Sequence, residues 1–192
     1  SAGGADGTAS TTYALGISAT GADSGLDDTA TGQSIYLYMD GNDVVGRVGS
    51  GGVADPAGVI AFRVTNSGGS LSLDQVRAVM HDIDGSTPTD HDDAKTLSLA
   101  TLITLTATIT DGDGDTASAV ANIGQALSFE DDGPSISRNA VAAPTLTVDE
   151  TILTTNAGPT SFTGLFTSAG GADGTASTTY ALGISATGAD SG

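Results

Sequence analysis

The residues with the clearest chemical potential lie at 109–118, ITDGDGDTAS, where Asp111, Asp113 and Asp115 alternate with Gly112 and Gly114 at the tip of what reads as a β-hairpin. Carboxylates so closely spaced repel one another unless a cation lies among them, and glycine lets the backbone bend tightly enough for several oxygens to converge. The chemistry this predicts is oxygen coordination of Ca2+, with most of the chain serving as scaffold for such loops. The alternative is a solvated acidic turn, since Asp-Gly is an ordinary turn former. Three alternating carboxylates exceed what a turn requires. The loop is not an EF-hand, because the twelfth position from Asp111 is Asn122, where a bidentate Glu is needed, and a strand rather than a helix follows.

Further carboxylates cluster at Glu130, Asp131 and Asp132, at Asp149 and Glu150, at Asp90, Asp92 and Asp93, at Asp82 and Asp84, and at Asp40 and Asp43. Each alone reads as a solvated loop. The group at Glu130–Asp132 stands apart, because three consecutive acids at a domain boundary loosen the linker unless they are neutralised. His81 and His91 are ten positions apart, with no cysteine in the chain, which favours surface histidines near a helix end over zinc ligands. No nucleophile elbow, phosphate loop or Ser-His-Asp arrangement is defensible, so an enzyme is not expected. Tyr13, Tyr36 and Tyr38 suit either a sugar-stacking platform or, more simply, the cover of a sheet face.

These groups need a scaffold, and 192 residues suffice for one large or two small domains with a core of Val, Ile, Leu and Ala, since only 4% are aromatic and none is Trp. With 23 Asp+Glu against 5 Lys+Arg the formal charge is −18. Such a polyanion is repelled by nucleic acid and by anionic membranes, so neither is an expected partner, and divalent cations gain a stabilising role. The absence of cysteine, combined with acidity and abundant Gly and Thr, fits a bacterial secreted protein cross-linked by metal rather than by disulfides. No apolar run reaches membrane-spanning length and the first residues lack a signal-peptide pattern, so the expectation is an internal segment of a longer exported chain.

The most specific feature is a duplication. Residues 1–25, SAGGADGTASTTYALGISATGADSG, recur unchanged from position 168, an offset of 167 residues. This implies a tandem array whose period exceeds the roughly 20–50 residues of solenoid units, so each repeat is expected to be a domain with its own core. The punctuation FEDDGP at 129–134 places the boundary: residues 1–132 form a repeat lacking its first 35 residues, and 133–192 begin the next.

Period-two alternation marks strands at 11–19, 33–40, 44–48, 59–65, 97–110 and 116–123, with Asp40-Gly41 through Asn42-Asp43 as a hairpin turn and GADSGLDD as an acidic turn. Strands are also expected at 145–148, 161–166 and 178–185. One short helix is expected over 72–81, SLDQVRAVMH, capped by Ser72 and presenting Leu73, Val76, Val79 and Met80 on one face. Many short strands with turns between them and one helix predict an all-β, immunoglobulin-like antiparallel β-sandwich.

The ordered set LDQVRAVMH, an acidic loop ending in DDA, TATITDGDGDTASA, FEDDGPSI and LTVDET resembles the repeat of giant type I-secreted RTX adhesins of Gram-negative bacteria, over nearly the whole period. The resemblance implies a calcium-loaded, immunoglobulin-like extender domain, repeated between a membrane-proximal anchor and a distal ligand-binding region, extracellular at the bacterial cell surface. Its partners would be neighbouring repeats of the same chain in a monomeric array. A lectin-like adhesive repeat is the alternative. The sandwich order sets Asp111, Asp113 and Asp115 at the pole where the chain enters and Glu130, Asp131 and Asp132 at the pole where it leaves. Asp92 or Asp93, with Glu130–Asp132, is expected to meet the DGDGD loop of the following repeat around shared calcium.

Overall fold

A computed structural model of the chain describes residues 7–82, 93–171, 174, 177–188 and 190. The chain forms two compact units, Ser1–Asp132 and Gly133–Gly192. Asp84, Asp90, His91 and Asp92 lie outside the described residues.

In the first unit, β2 (Ala22–Asp27), β3 (Ser34–Asp40), β4 (Asp43–Val48), β5 (Ile60–Ser67) and β6 (Ser70–Gln75) form a five-stranded antiparallel meander, each strand hydrogen-bonded to the next. A second sheet has the order β1-β8-β9, built from β1 (Thr8–Ile17), β8 (Ile103–Asp111) and β9 (Thr116–Asn122), again antiparallel. A short ladder pairs β7 (Ala94–Thr96) with β10 (Ser128–Glu130). Alternation turns one set of side chains from each sheet inward. Ile35, Leu37, Val44, Phe62 and Val64 of the meander share a buried cluster with Leu15 of β1, Ile103 of β8 and Phe129 of β10. The rings of Phe62 and Phe129 meet at 5.1 Å. Burying each such side chain contributes about 1.5–3 kcal/mol before the entropy of ordering it is counted. The result is an all-β antiparallel sandwich, as the alternation predicts.

The helix expected over 72–81 is absent. Gly68 and Gly69 take φ of +61° and +95° and turn the chain back on itself, so SLSLDQ pairs with β5 as β6, from Ser67↔Ser70 to Phe62↔Gln75. Its apolar residues alternate rather than recurring every three or four: Leu71 and Leu73 lie against the core. Of the supposed helical face, Val79 is buried while Val76 and Met80 are exposed. The GADSGLDD stretch is likewise a strand, β2, with Leu26 in the core and the Ser24 hydroxyl donating to the Ile35 carbonyl at 2.6 Å. Tertiary burial overrides the turn propensity of its Gly, Asp and Ser.

The second unit pairs β11 (Ser135–Arg138) with β12 (Phe166–Ala169). The strands expected at 145–148 and 178–185 do not form, and 163–165 is a 3-10 turn leading into β12.

Candidate metal centre

β8 and β9 are paired in continuous register from Thr104↔Asn122 to Thr110↔Thr116, leaving residues 111–115 as the tip. The Asp111 N–H donates to the Asp115 carbonyl at 3.0 Å and the Gly114 N–H to the Asp111 carbonyl at 3.3 Å. The Asp115 N–H donates to Asp111 Oδ1 at 2.9 Å. This folded tip brings one oxygen from each of Asp111, Asp113 and Asp115 within 4.8 Å of the others, Asp111 half-buried and its neighbours exposed. Oxygens bound to one Ca2+ at about 2.4 Å lie at most about 4.8 Å apart. The trio therefore fits a single hard cation, with water or carbonyl oxygens completing a coordination of about 6–8.

The tip's own hydrogen bonds also act on Asp111. The Asp111 carboxyl is held below the usual carboxylate range, first by a hydrogen bond with the Asp113 side chain, against a smaller opposing effect of burial, and then by the N–H groups of Asp115, Gly114 and Asp113. Among the described residues no Lys or Arg forms an ion pair with the three aspartates.

Several of the other acids are matched by the protein itself. Asp40 and Asp43, across the β3–β4 turn, both bind Arg63, at 2.6 and 2.9 Å. Asp82 binds Lys95 at 2.8 Å. Asp149 caps a 3-10 turn, its Oδ1 accepting from the Thr151 N–H at 2.8 Å, and Glu150 is exposed in the first turn. The Asp40, Asp43, Asp82 and Asp149 carboxylates are thus satisfied locally.

At the other end of the β8–β9 hairpin, Ile123 is bonded to Ile103, and the chain continues through a 3-10 turn into β10. There the Asp131 N–H donates to the Asp93 carbonyl at 3.0 Å, so the structure brings Asp93 to the Glu130–Asp132 segment. His81 Nδ1 lies 3.7 Å from Asp93 Oδ2, and its side chain is only 5% exposed. The surface position expected for His81 is thus wrong: the Met80 N–H bonds the Asp27 carbonyl and ties this segment to β2.

Sequence reasoning missed one charged pair altogether. Asp28 is fully buried, and Arg77 grips both its oxygens, Nε to Oδ1 at 2.7 Å and an Nη to Oδ2 at 3.0 Å, while the Thr31 hydroxyl adds a bond of 2.6 Å. The partners are 49 positions apart, and the scarcity of cations was the only available signal.

Fold and site together define an all-β sandwich carrying a cation-ready acidic hairpin. Residues 1–124 and 145–192 match the family described as Domain of unknown function (DUF5801), and the chain belongs to that family. Neither a curated protein nor a solved structure matches it.

Proposed function

We propose that the chain is a non-catalytic extender domain of a secreted bacterial surface adhesin of the RTX type, rigidified by Ca2+ so that a tandem array projects a ligand-binding tip from the cell. The observation that carries this reading is the convergence of Asp111, Asp113 and Asp115 oxygens within 4.8 Å, with no Lys or Arg paired to them among the described residues. The exact 167-residue offset of the duplicated stretch supports an array, and an array of sandwich domains gains length per repeat. Asp93 and Glu130–Asp132 supply the acids at the junction with a following repeat, whose own DGDGD loop would share the ion. Calcium at such junctions removes hinge freedom and stabilises the folded state by RT ln(1 + [Ca2+]/Kd).

The test is small-angle scattering of several joined repeats in Ca2+ and in chelator. A longer maximum dimension in Ca2+ is the expected result. The same dimension in both solutions defeats the proposal.

A further inference from the structure

We propose that His81 and Asp93 hold a second kind of metal ion, a dication of the zinc class, at a site within the first unit and apart from the hairpin tip. His81 Nδ1 lies 3.7 Å from Asp93 Oδ2, and the two side chains are only 5% and 19% exposed. That separation is too long for a hydrogen bond. His81 Nδ1 and the other Asp93 oxygen, Oδ1, are both buried with no hydrogen-bond partner. Polar atoms buried in this way are rare in folded proteins and point to an absent partner. With bonds of about 2.0–2.2 Å, a nitrogen and an oxygen on one zinc ion lie between about 3.4 Å apart at the tetrahedral angle and about 4.2 Å in a line. The observed distance falls inside that span.

Both side chains are carried by backbone that the fold already fixes. Val79 bridges to Asp28 and the Met80 N–H bonds the Asp27 carbonyl, so His81 follows a segment tied to β2. The Asp93 carbonyl accepts from the Asp131 N–H at 3.0 Å, and the next residue, Ala94, pairs with Glu130 in the β7–β10 ladder. The nearby cations are engaged by other acids, Lys95 by Asp82 at 2.8 Å and Arg77 by Asp28 at 2.7 Å. Among the described residues no Lys or Arg is paired with Asp93. The donor set selects the ion: Ca2+ takes oxygen ligands, whereas imidazole beside a carboxylate suits Zn2+ and its neighbours. Water fills the remaining positions of a four-coordinate ion. Asp93 is common to this site and to the proposed calcium junction, and the imidazole sets the two ions apart.

The test uses the whole chain with 15N-labelled histidine and Ca2+ in excess throughout, so that its outcome does not depend on whether the hairpin tip binds calcium. Zn2+ alone is the probe. The chain has 2 histidines, and removal of either one assigns their imidazole signals. Zn2+ is expected to bind and to shift Nδ1 of His81. His81→Gln and Asp93→Asn are each expected to weaken that binding by at least about tenfold, the lower bound for disturbing even an outer-shell partner. Asp93→Asn keeps the size of the side chain, so it reports on the ligand even where His81→Gln does not fold. A buried ion pair between protonated His81 and Asp93, with no metal, gives no zinc binding. That result overturns the proposal, as does a shift confined to the other imidazole, full zinc affinity in Asp93→Asn, or displacement of zinc by the Ca2+.

Discussion

Arg77 Nε lies 2.7 Å from Oδ1 of Asp28, a carboxylate with no solvent exposure, and ties the loop after β6 to the end of β2. Removing one partner of a buried pair leaves the other charge uncompensated. Arg77→Ala is therefore expected to lower the unfolding free energy by about 3–5 kcal/mol, read from urea or guanidinium curves. Arg63→Ala is expected to cost far less, about 0–1 kcal/mol, because Asp40 and Asp43 can turn to water. Equal losses in the two variants would refute the assignment.

The same pair fixes a pH dependence. The Arg77 hydrogen bonds hold the Asp28 carboxyl below its ordinary range, outweighing the raising effect of burial. A folded-state pKa depressed below the unfolded value of about 3.9 gives stability that is fully present above it and is lost as pH falls through the folded pKa. In Arg77→Ala the unpaired, buried carboxyl is raised instead, so acid relieves part of its penalty. The gap between wild type and Arg77→Ala should start to narrow as pH falls through the raised carboxyl of the variant, above the unfolded value of about 3.9, and go on narrowing until the depressed wild-type carboxyl is protonated. A gap that stays constant down to pH 3 would count against it.

How much of this could be read from the chain follows from which interactions are local. β3, β4, β5, β8 and β9 announce themselves by alternation, and the DGDGD tip by its spacing, because strand pairing there is made by neighbours a few residues away. β2 and β6 are hidden, the first by turn-forming Gly, Asp and Ser, the second by a Leu-Val-Val-Met spacing that mimics a helical face. In both the core decides: Leu26 of β2 belongs to the buried cluster, and Leu71 and Leu73 of β6 pack against it. The Asp28–Arg77 pair joins residues too far apart for any local signal, and the burial of His81 depends on the same closure.

At the hairpin tip, Asp113→Asn separates two effects of one carboxylate. Without calcium, removing a charge from the trio relieves repulsion, so the melting temperature in chelator should rise or stay unchanged. With calcium, a first ligand is lost, and affinity should fall by at least about tenfold, the lower bound for disturbing even an outer-shell partner. Calorimetric titration with Ca2+ and paired melting curves check both. A wild-type chain whose melting temperature is indifferent to Ca2+, or a variant that keeps its full response, would remove Asp113 from the site. The rise expected for wild type corresponds to about 2.7 kcal/mol at one hundred times the dissociation constant.

Leu15 and Leu182 allow the dependence of one sequence on its surroundings to be measured within a single chain. Leu15 belongs to the core cluster with Leu26, Ile35 and Ile103, whereas Leu182 stands in solvent. Leu15→Ala leaves a cavity beneath β1 and is expected to cost about 2–5 kcal/mol in the first unit. Leu182→Ala should change stability by no more than about 0.5 kcal/mol. Denaturation midpoints of the two variants decide the matter: equal losses would mean that the two leucines do not differ in burial as the structure has them.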